Sequence, residues 1–248
     1  MRTNPSQTED YWTDTRRPLT SLLFLLPWIA IYEAGILMLD GSGRFRNGAD
    51  YWLRSLLAML GWSQILLLPV LVIAILLSWH LIRRYPWTIR LETQVGMLAE
   101  SLLLAVGLVA VGQLHHLLFL SFQVPENGSH LLAIDGRLTH AVSYIGAGVY
   151  EEVIFRLLLV PCAFAIFRVL EFPSGWAAVM SAISTSFMFA LAHHVGPAAD
   201  AFNLFTFSFR TAAGMFFSTV FFVRGFGITV GCHAAYDLLI GVVLVTGS

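Results

Sequence analysis

Long apolar segments, separated by short polar stretches, dominate the pattern of this chain. They cover residues 18–39, 64–82, 95–122, 138–170, 176–195, 203–223 and 226–246. A run of about 18 or more predominantly apolar residues is long enough to cross a bilayer as a helix. The pattern therefore predicts an all-α fold, a polytopic transmembrane helix bundle with about seven spans.

The polar stretches indicate how the chain is organised. Residues 1–17 form a polar N-terminal tail, residues 18–137 hold the first spans and their loops, and residues 138–248 form a second group of spans. The first span is too long for a signal-peptide core and lacks a small-residue cleavage site, so we expect it to be retained. A short helix along the membrane surface is predicted between the first two spans, where apolar residues recur at helical spacing: Trp52, Leu53, Leu56, Leu57 and Leu60.

Composition supports the membrane prediction and excludes other classes. Of 248 residues, 57% are hydrophobic and only 12% are charged, and the mean hydropathy is +0.75, which is typical of a multi-span protein. The net charge of -1 gives no basic field that would attract nucleic acid. Cys162 and Cys232 both lie in apolar runs, which favours packed thiols over a disulfide. All basic residues are arginine and no organelle signal is present, so we expect a bacterial plasma membrane.

The fourth segment contains the most unusual chemistry, the sequence Glu-Glu-Val-Ile-Phe-Arg at residues 151–156. Unpaired charge is costly at membrane depth, so ionisable residues there indicate a functional site. Glu152 and Arg156 are four residues apart and share a helix face, which allows an ion pair. Glu151 lies about 100° away from Glu152 around the helix and has no basic partner at helical spacing. This geometry predicts one structural and one free carboxylate; a polar seam between helices is the alternative.

Two later spans carry further polar side chains at membrane depth. His193 and His194 end the fifth span, whereas His233 and Asp237 share a face of the seventh. A lone membrane histidine is usually a hydrogen-bonding residue between helices. Taken with Glu151, these groups supply a base, imidazoles and a supporting carboxylate, which together could activate water against a carbonyl.

These residues, in this order, resemble the CAAX-protease and bacteriocin-processing family, also called ABI or CPBP. The three motifs are Glu151-Glu152-x-x-x-Arg156, Phe189-x-x-x-His193 and His233-x-x-x-Asp237. Each is short, but the ordered set, with each motif on its own apolar helix, is specific. The preceding half of the chain matches the family only as generic membrane helices.

The resemblance implies an intramembrane endopeptidase of the glutamic type that needs no cofactor and acts on membrane-associated peptides or proteins. Glu151 would be the general base and His193 would help hold the water. The oxyanion would be stabilised by His233 and Asp237, and Glu152 and Arg156 would be the structural pair. Residues 138–248 would then form the catalytic core.

Asp237 departs from the family, whose third motif often ends in asparagine. An asparagine can donate a hydrogen bond to an oxyanion, whereas an ionised aspartate cannot. Asp237 is therefore suited to orient His233 and to favour its protonated form, although a protonated Asp237 could still donate.

Other functions remain open at this level. Glu151, His193 and His233 could instead bind a catalytic zinc ion, although the His-Glu-x-x-His signature is absent. A transporter is disfavoured by the missing inverted repeat, and a catalytically silent scaffold is the third alternative. The shared site also poses a geometric difficulty: the fifth and seventh spans should run parallel, yet His193 is late in its helix and His233 is early.

Overall fold

The computed structural model describes residues 11–39, 46–120, 136–196 and 199–244, and within these ranges the chain is helical with no strands. Its helices are α1 (Pro18–Leu39), α2 (Gly48–Met59), α3 (Leu67–Ile82), α4 (Leu91–Leu120), α5 (Gly136–Glu152), α6 (Val160–Val169), α7 (Ser174–Ala192), α8 (Leu204–Arg224) and α9 (Phe226–Leu238). Each of the seven predicted spans contains at least one of them. The start of the polar tail and most of the segment between the third and fourth predicted spans lie outside the described residues.

In the described part of the chain, five helices are long and apolar enough to cross a membrane. They are α1, α4, α7, α8 and the α9 helix with its extension to Val243. The predicted second span, α3, is apolar but has only 16 residues. The predicted fourth span consists of α5 and α6 with a π-helical segment, Val153–Leu159, between them. The polytopic helical bundle is thus confirmed, and the protein is an integral membrane protein.

The π segment begins directly after Glu152, and the sequence explains where it ends. Pro161 lies in the first turn of α6. Because proline has no N–H group and its ring collides with the carbonyl four residues back, it disturbs the regular hydrogen-bond pattern of the helix. The Val160 N–H accordingly donates to the Phe155 carbonyl, five residues back. Isolated π turns are rare and are often found at functional sites, and a second one, Leu239–Val243, follows Asp237.

Helix α9 lies at the centre of the bundle, between α1, α4, α5 and α8. Small residues allow this close packing. A Cβ atom added to Gly148 of α5 would lie 2.6 Å from the Cβ and backbone nitrogen of Ala234 on α9. Gly227 and Gly231 similarly leave room for side chains of α1 and α4. Gly148, three residues before Glu151, thus allows α9 to approach α5 closely.

Helix α2 is amphipathic as predicted, but buried charges hold it to the bundle. The carboxylate of Asp50 is fully buried and contacts the guanidinium groups of Arg46 and Arg54 at 2.7 and 2.6 Å. Arg54 also contacts Glu33 of α1 at 2.9 Å, and the Tyr150 hydroxyl donates to the same Glu33 oxygen at 2.7 Å. Two carboxylates and two guanidinium groups balance in charge, so the cluster that links α1, α2 and α5 leaves none of these charges unpaired.

Two side chains depart from a simple buried or unpaired arrangement. Arg210, in the second turn of α8, is partly exposed and pairs with Asp200 at 2.6 Å. The cysteines are both free, and Cys232 is buried as expected, but Cys162 is exposed on the bundle surface.

Candidate active site

Glu151, His193 and His233 converge although they lie on different helices. One oxygen of Glu151, Oε2, lies 3.8 Å from the Nε2 atom of each histidine. These separations exceed direct hydrogen-bond distance but allow one water molecule to bridge the three groups. The Glu151 side chain is 15% exposed and that of His193 is 25% exposed, so the carboxylate can be reached within an otherwise packed bundle.

The way in which α7, α8 and α9 are shifted along one another explains how His193, late in its helix, and His233, early in its helix, reach the same depth. Phe189, one turn before His193, packs against Phe217 in the second half of α8. Phe217 lies seven residues before the end of α8, and His233 lies seven residues after the start of α9. The reversal at Gly225 therefore returns the chain to the same level, and the His233 ring stacks on Phe217 with a centroid separation of 4.5 Å.

Glu152 and Arg156 form the predicted ion pair and are almost completely buried. Arg156 Nη1 lies 3.1 Å from Glu152 Oε1, and the side chains are 1% and 0% exposed. Arg156 Nη2 also donates to the Gly214 carbonyl of α8 at 2.9 Å. These contacts use both terminal nitrogens of the planar guanidinium, a fixed fork geometry that a lysine ammonium lacks. The pair therefore joins the π segment to α8.

Glu152 has a second contact that the sequence did not indicate. Its Oε1 atom also lies 2.7 Å from His233 Nδ1. A carboxylate oxygen can only accept, so Nδ1 carries a proton and the Nε2 atom of the ring points towards Glu151. Asp237 Oδ2 lies 3.5 Å from Nε2. Glu152, rather than Asp237, thus holds the His233 ring at Nδ1, and Asp237 faces the nitrogen that points into the site.

The His193 ring is fixed by its own helix. Its Nδ1 atom lies 2.8 Å from the Phe189 carbonyl, four residues earlier. Because a carbonyl oxygen only accepts, Nδ1 must be the donor. The Nε2 atom, which faces Glu151, is then free to accept from a water molecule when the ring is neutral. His194, the adjacent residue, contacts Asp200 and Phe202 instead and takes no part in this cluster.

Phe189 organises the apolar wall of the site, a role that sequence spacing alone did not indicate. Its ring lies 4.8 Å from the guanidinium carbon of Arg156, and its centroid lies 4.9 and 5.9 Å from those of His193 and His233. An aromatic face stabilises a desolvated cation. Phe189 therefore contacts all three basic side chains of the cluster.

Across the described ranges, no group of three or more His, Cys, Asp and Glu side chains is found that could hold a metal ion. Glu152 and Asp237 both direct carboxylate oxygens at His233.

Comparison with known proteins gives one match. Residues 136–239 match the family model described as "Rce1-like: Type II CAAX prenyl endopeptidase Rce1-like". No curated protein and no solved structure matches the sequence significantly. The matched region contains Glu151, Glu152, Arg156, His193, His233 and Asp237. The predicted resemblance to the CAAX-protease family is confirmed over residues 136–239, which are similar to the Rce1-like family model.

Proposed function

We propose that the protein is a CAAX-type intramembrane endopeptidase that cleaves membrane-associated peptides or proteins with a water molecule activated by Glu151. The observation that carries this proposal is the position of Glu151 Oε2, at 3.8 Å from two imidazole nitrogens. A general base must reach the proton that it abstracts directly or through one water molecule. The match to the Rce1-like family supports the reaction class.

The proposed reaction uses each group at a defined point. Water, held by Glu151 and His193, attacks the peptide carbonyl, and its proton moves to Glu151. The negative charge that forms on the carbonyl oxygen is stabilised by a proton on His233 Nε2. The C–N bond then breaks, and Glu151 returns the proton to the leaving amine. Glu152 keeps the His233 ring in place, and the neighbouring Asp237 carboxylate favours its doubly protonated form.

The substrate must reach the site from the membrane or its surface. The catalytic groups lie between membrane-spanning helices, and the partly exposed side chains among them are Glu151, His193 and Asp237. A membrane-associated peptide or protein fits this position better than a freely soluble one. We further propose that the protein works without a metal ion, in a bacterial plasma membrane.

Cleavage of membrane-tethered peptides by the purified protein in liposomes tests this proposal. We expect products with a new carboxyl terminus, detected by mass spectrometry, and equal rates before and after treatment with a zinc chelator. Loss of cleavage upon chelation, with recovery after addition of zinc, would favour zinc bound by Glu151, His193 and His233. A folded protein that cleaves none of the tethered peptides would contradict the protease function and favour a scaffold.

Replacing Asp237 distinguishes the two roles considered for this residue, orienting His233 and donating a hydrogen bond to the oxyanion. Because Glu152 already holds His233 at Nδ1, and because an asparagine amide can donate to an oxyanion, we expect Asp237→Asn to lower kcat by less than about tenfold. His233→Ala removes the proposed oxyanion donor and should cost roughly 10²–10³ in kcat. The measurement is kcat of both variants on the same peptide. Equal losses would show that Asp237 is required to keep His233 functional.

A further inference from the structure

The segment that precedes the first span, residues 11–17, packs against the reversal between α8 and α9. Gly225 forms this reversal with φ of +93°. A Cβ atom there would lie 2.9 Å from the Cα atom of Arg16 and 3.0 Å from the carbonyl oxygen of Thr15. The Nε atom of Arg16 also donates to the Val223 carbonyl at 2.8 Å, which satisfies one of the unpaired acceptors at the end of α8.

Side chains of the same segment surround a partly buried ion pair. Arg224, the last residue of α8, is 4% exposed and contacts the carboxylate of Glu100 on α4 with both Nε and Nη2, the latter at 2.7 Å. The ring centroid of Trp12 lies 3.5 Å from the guanidinium carbon of Arg224. The Tyr11 hydroxyl donates to Glu100 Oε2 at 2.8 Å.

The protonation of Tyr11 favours this arrangement at neutral pH. Burial, together with the hydrogen bond to Glu100 and its charge, raises the pKa of Tyr11 to about 12. The hydroxyl therefore remains a donor to the carboxylate. Tyr11, Trp12, Glu100 and Arg224, with the backbone at Gly225, form one continuous contact region, which we call the N-terminal clamp.

The clamp holds the start of the helix that carries His233. From Gly225 to His233, α9 continues without a break, and it is fully packed along this length. Ser21 at the start of α1 accepts a hydrogen bond from the Gly227 N–H at 3.1 Å. A shift of the reversal would therefore move His233 relative to Glu151 and Glu152, which lie on a different helix.

We propose that the N-terminal clamp is a positioning device that sets the distance of His233 from Glu151. Tyr11, Trp12 and Glu100 lie outside the residues that match the Rce1-like family model, whereas Arg224 and Gly225 lie within them. This inference rests on the proposed function, because the effect that we attribute to the clamp is an effect on cleavage. Within the clamp, Trp12 is a positioning residue, because it acts through Arg224 and α9 and is remote from the reacting atoms.

The test combines cleavage with an independent measure of how α9 packs. Cys232, next to His233, is buried, whereas Cys162 is exposed. If the clamp holds α9, Trp12→Ala should accelerate the reaction of Cys232 with N-ethylmaleimide by roughly three- to thirtyfold, because a cation–π contact of this kind is lost. Labelling of Cys162 should not change. The same variant should lower kcat by a similar factor, with KM within about twofold of wild type.

Two matched variants control for a general loss of stability. Trp12→Phe keeps an aromatic face over Arg224 and should restore both readouts. Trp176→Ala removes a tryptophan that is 60% exposed at the start of α7 and should leave both unchanged. If Trp12→Ala does not accumulate in membranes, Tyr11→Phe, which removes a single hydroxyl, is measured in the same way.

The outcomes separate the clamp from the proposed function. Faster Cys232 labelling with reduced kcat supports the clamp. Unchanged labelling of Cys232 in Trp12→Ala would show that the clamp does not hold α9, whatever the value of kcat. Faster labelling with a normal kcat would show that the clamp holds α9 but does not position His233 for cleavage. Absence of cleavage by the folded wild-type protein would instead defeat the proposed function, and the labelling comparison alone would then decide whether the segment holds α9.

Discussion

Glu151→Gln is expected to abolish cleavage while the protein remains folded. The amide has nearly the shape of the carboxylate but cannot accept the proton of the attacking water. General-base catalysis contributes about 10²–10⁴ to the rate, so kcat should fall by at least roughly a hundredfold. Glu151 forms no close ion pair, since its nearest basic atoms are 3.8 Å away. The midpoint of thermal unfolding should therefore remain close to that of wild type.

Glu92→Gln is the matched control for this substitution. Glu92 is an exposed acid in the first turn of α4, so its replacement should change neither kcat nor the unfolding midpoint. Both variants are compared in the same detergent with the same peptide. Near-normal turnover by Glu151→Gln would remove Glu151 from the role of base, and a large loss of stability would show that it is structural.

Arg156→Leu should produce the opposite result, a large loss of stability. The substitution leaves the carboxylate of Glu152 buried with His233 as its remaining partner and removes the donor to the Gly214 carbonyl. Breaking one partner of a buried ion pair costs about 3–5 kcal/mol. We expect a lower yield from membranes and a lower unfolding midpoint. Cleavage should also fall, because Glu152 holds His233.

A double substitution distinguishes an unpaired charge from lost packing. If the cost arises from the unpaired carboxylate, Glu152→Leu combined with Arg156→Leu should recover much of the stability lost in Arg156→Leu alone. It should not recover cleavage, since His233 loses its partner at Nδ1. Arg168→Leu, which changes an exposed arginine of α6, serves as the control. A double variant no more stable than the single one would assign the loss to packing around Phe189.

The spacing of residues along the sequence predicted the features that depend on a single helix. The span bounded by Pro18 and Leu39 was predicted correctly, because apolar length and polar flanks define a membrane helix. The pairing of Glu152 with Arg156 followed from four-residue spacing. The separation of Glu151 from that pair followed from helical rotation. These properties require no knowledge of how the helices are arranged.

Features that depend on helix register could not be predicted in the same way. Glu152 and His233 are 81 residues apart, and no periodicity relates residues at such a distance. The meeting of His193 and His233 depends on where α8 packs along α7 and on the reversal at Gly225. The π segment was also missed, because its cause, the missing N–H group of Pro161, is common to kinked helices that contain no π turn.

The charged cluster around Glu33 has a consequence for how the protein is made. Glu33 enters the membrane with the first span, when Tyr150, 117 residues downstream, has not yet been synthesised. Arg46 and Arg54 follow only 13 and 21 residues behind Glu33. The acid can therefore be neutralised by its neighbours as soon as α2 emerges from the ribosome, and we expect α1 and α2 to assemble before α5 supplies Tyr150. The last spans then join a surface whose charges are already balanced.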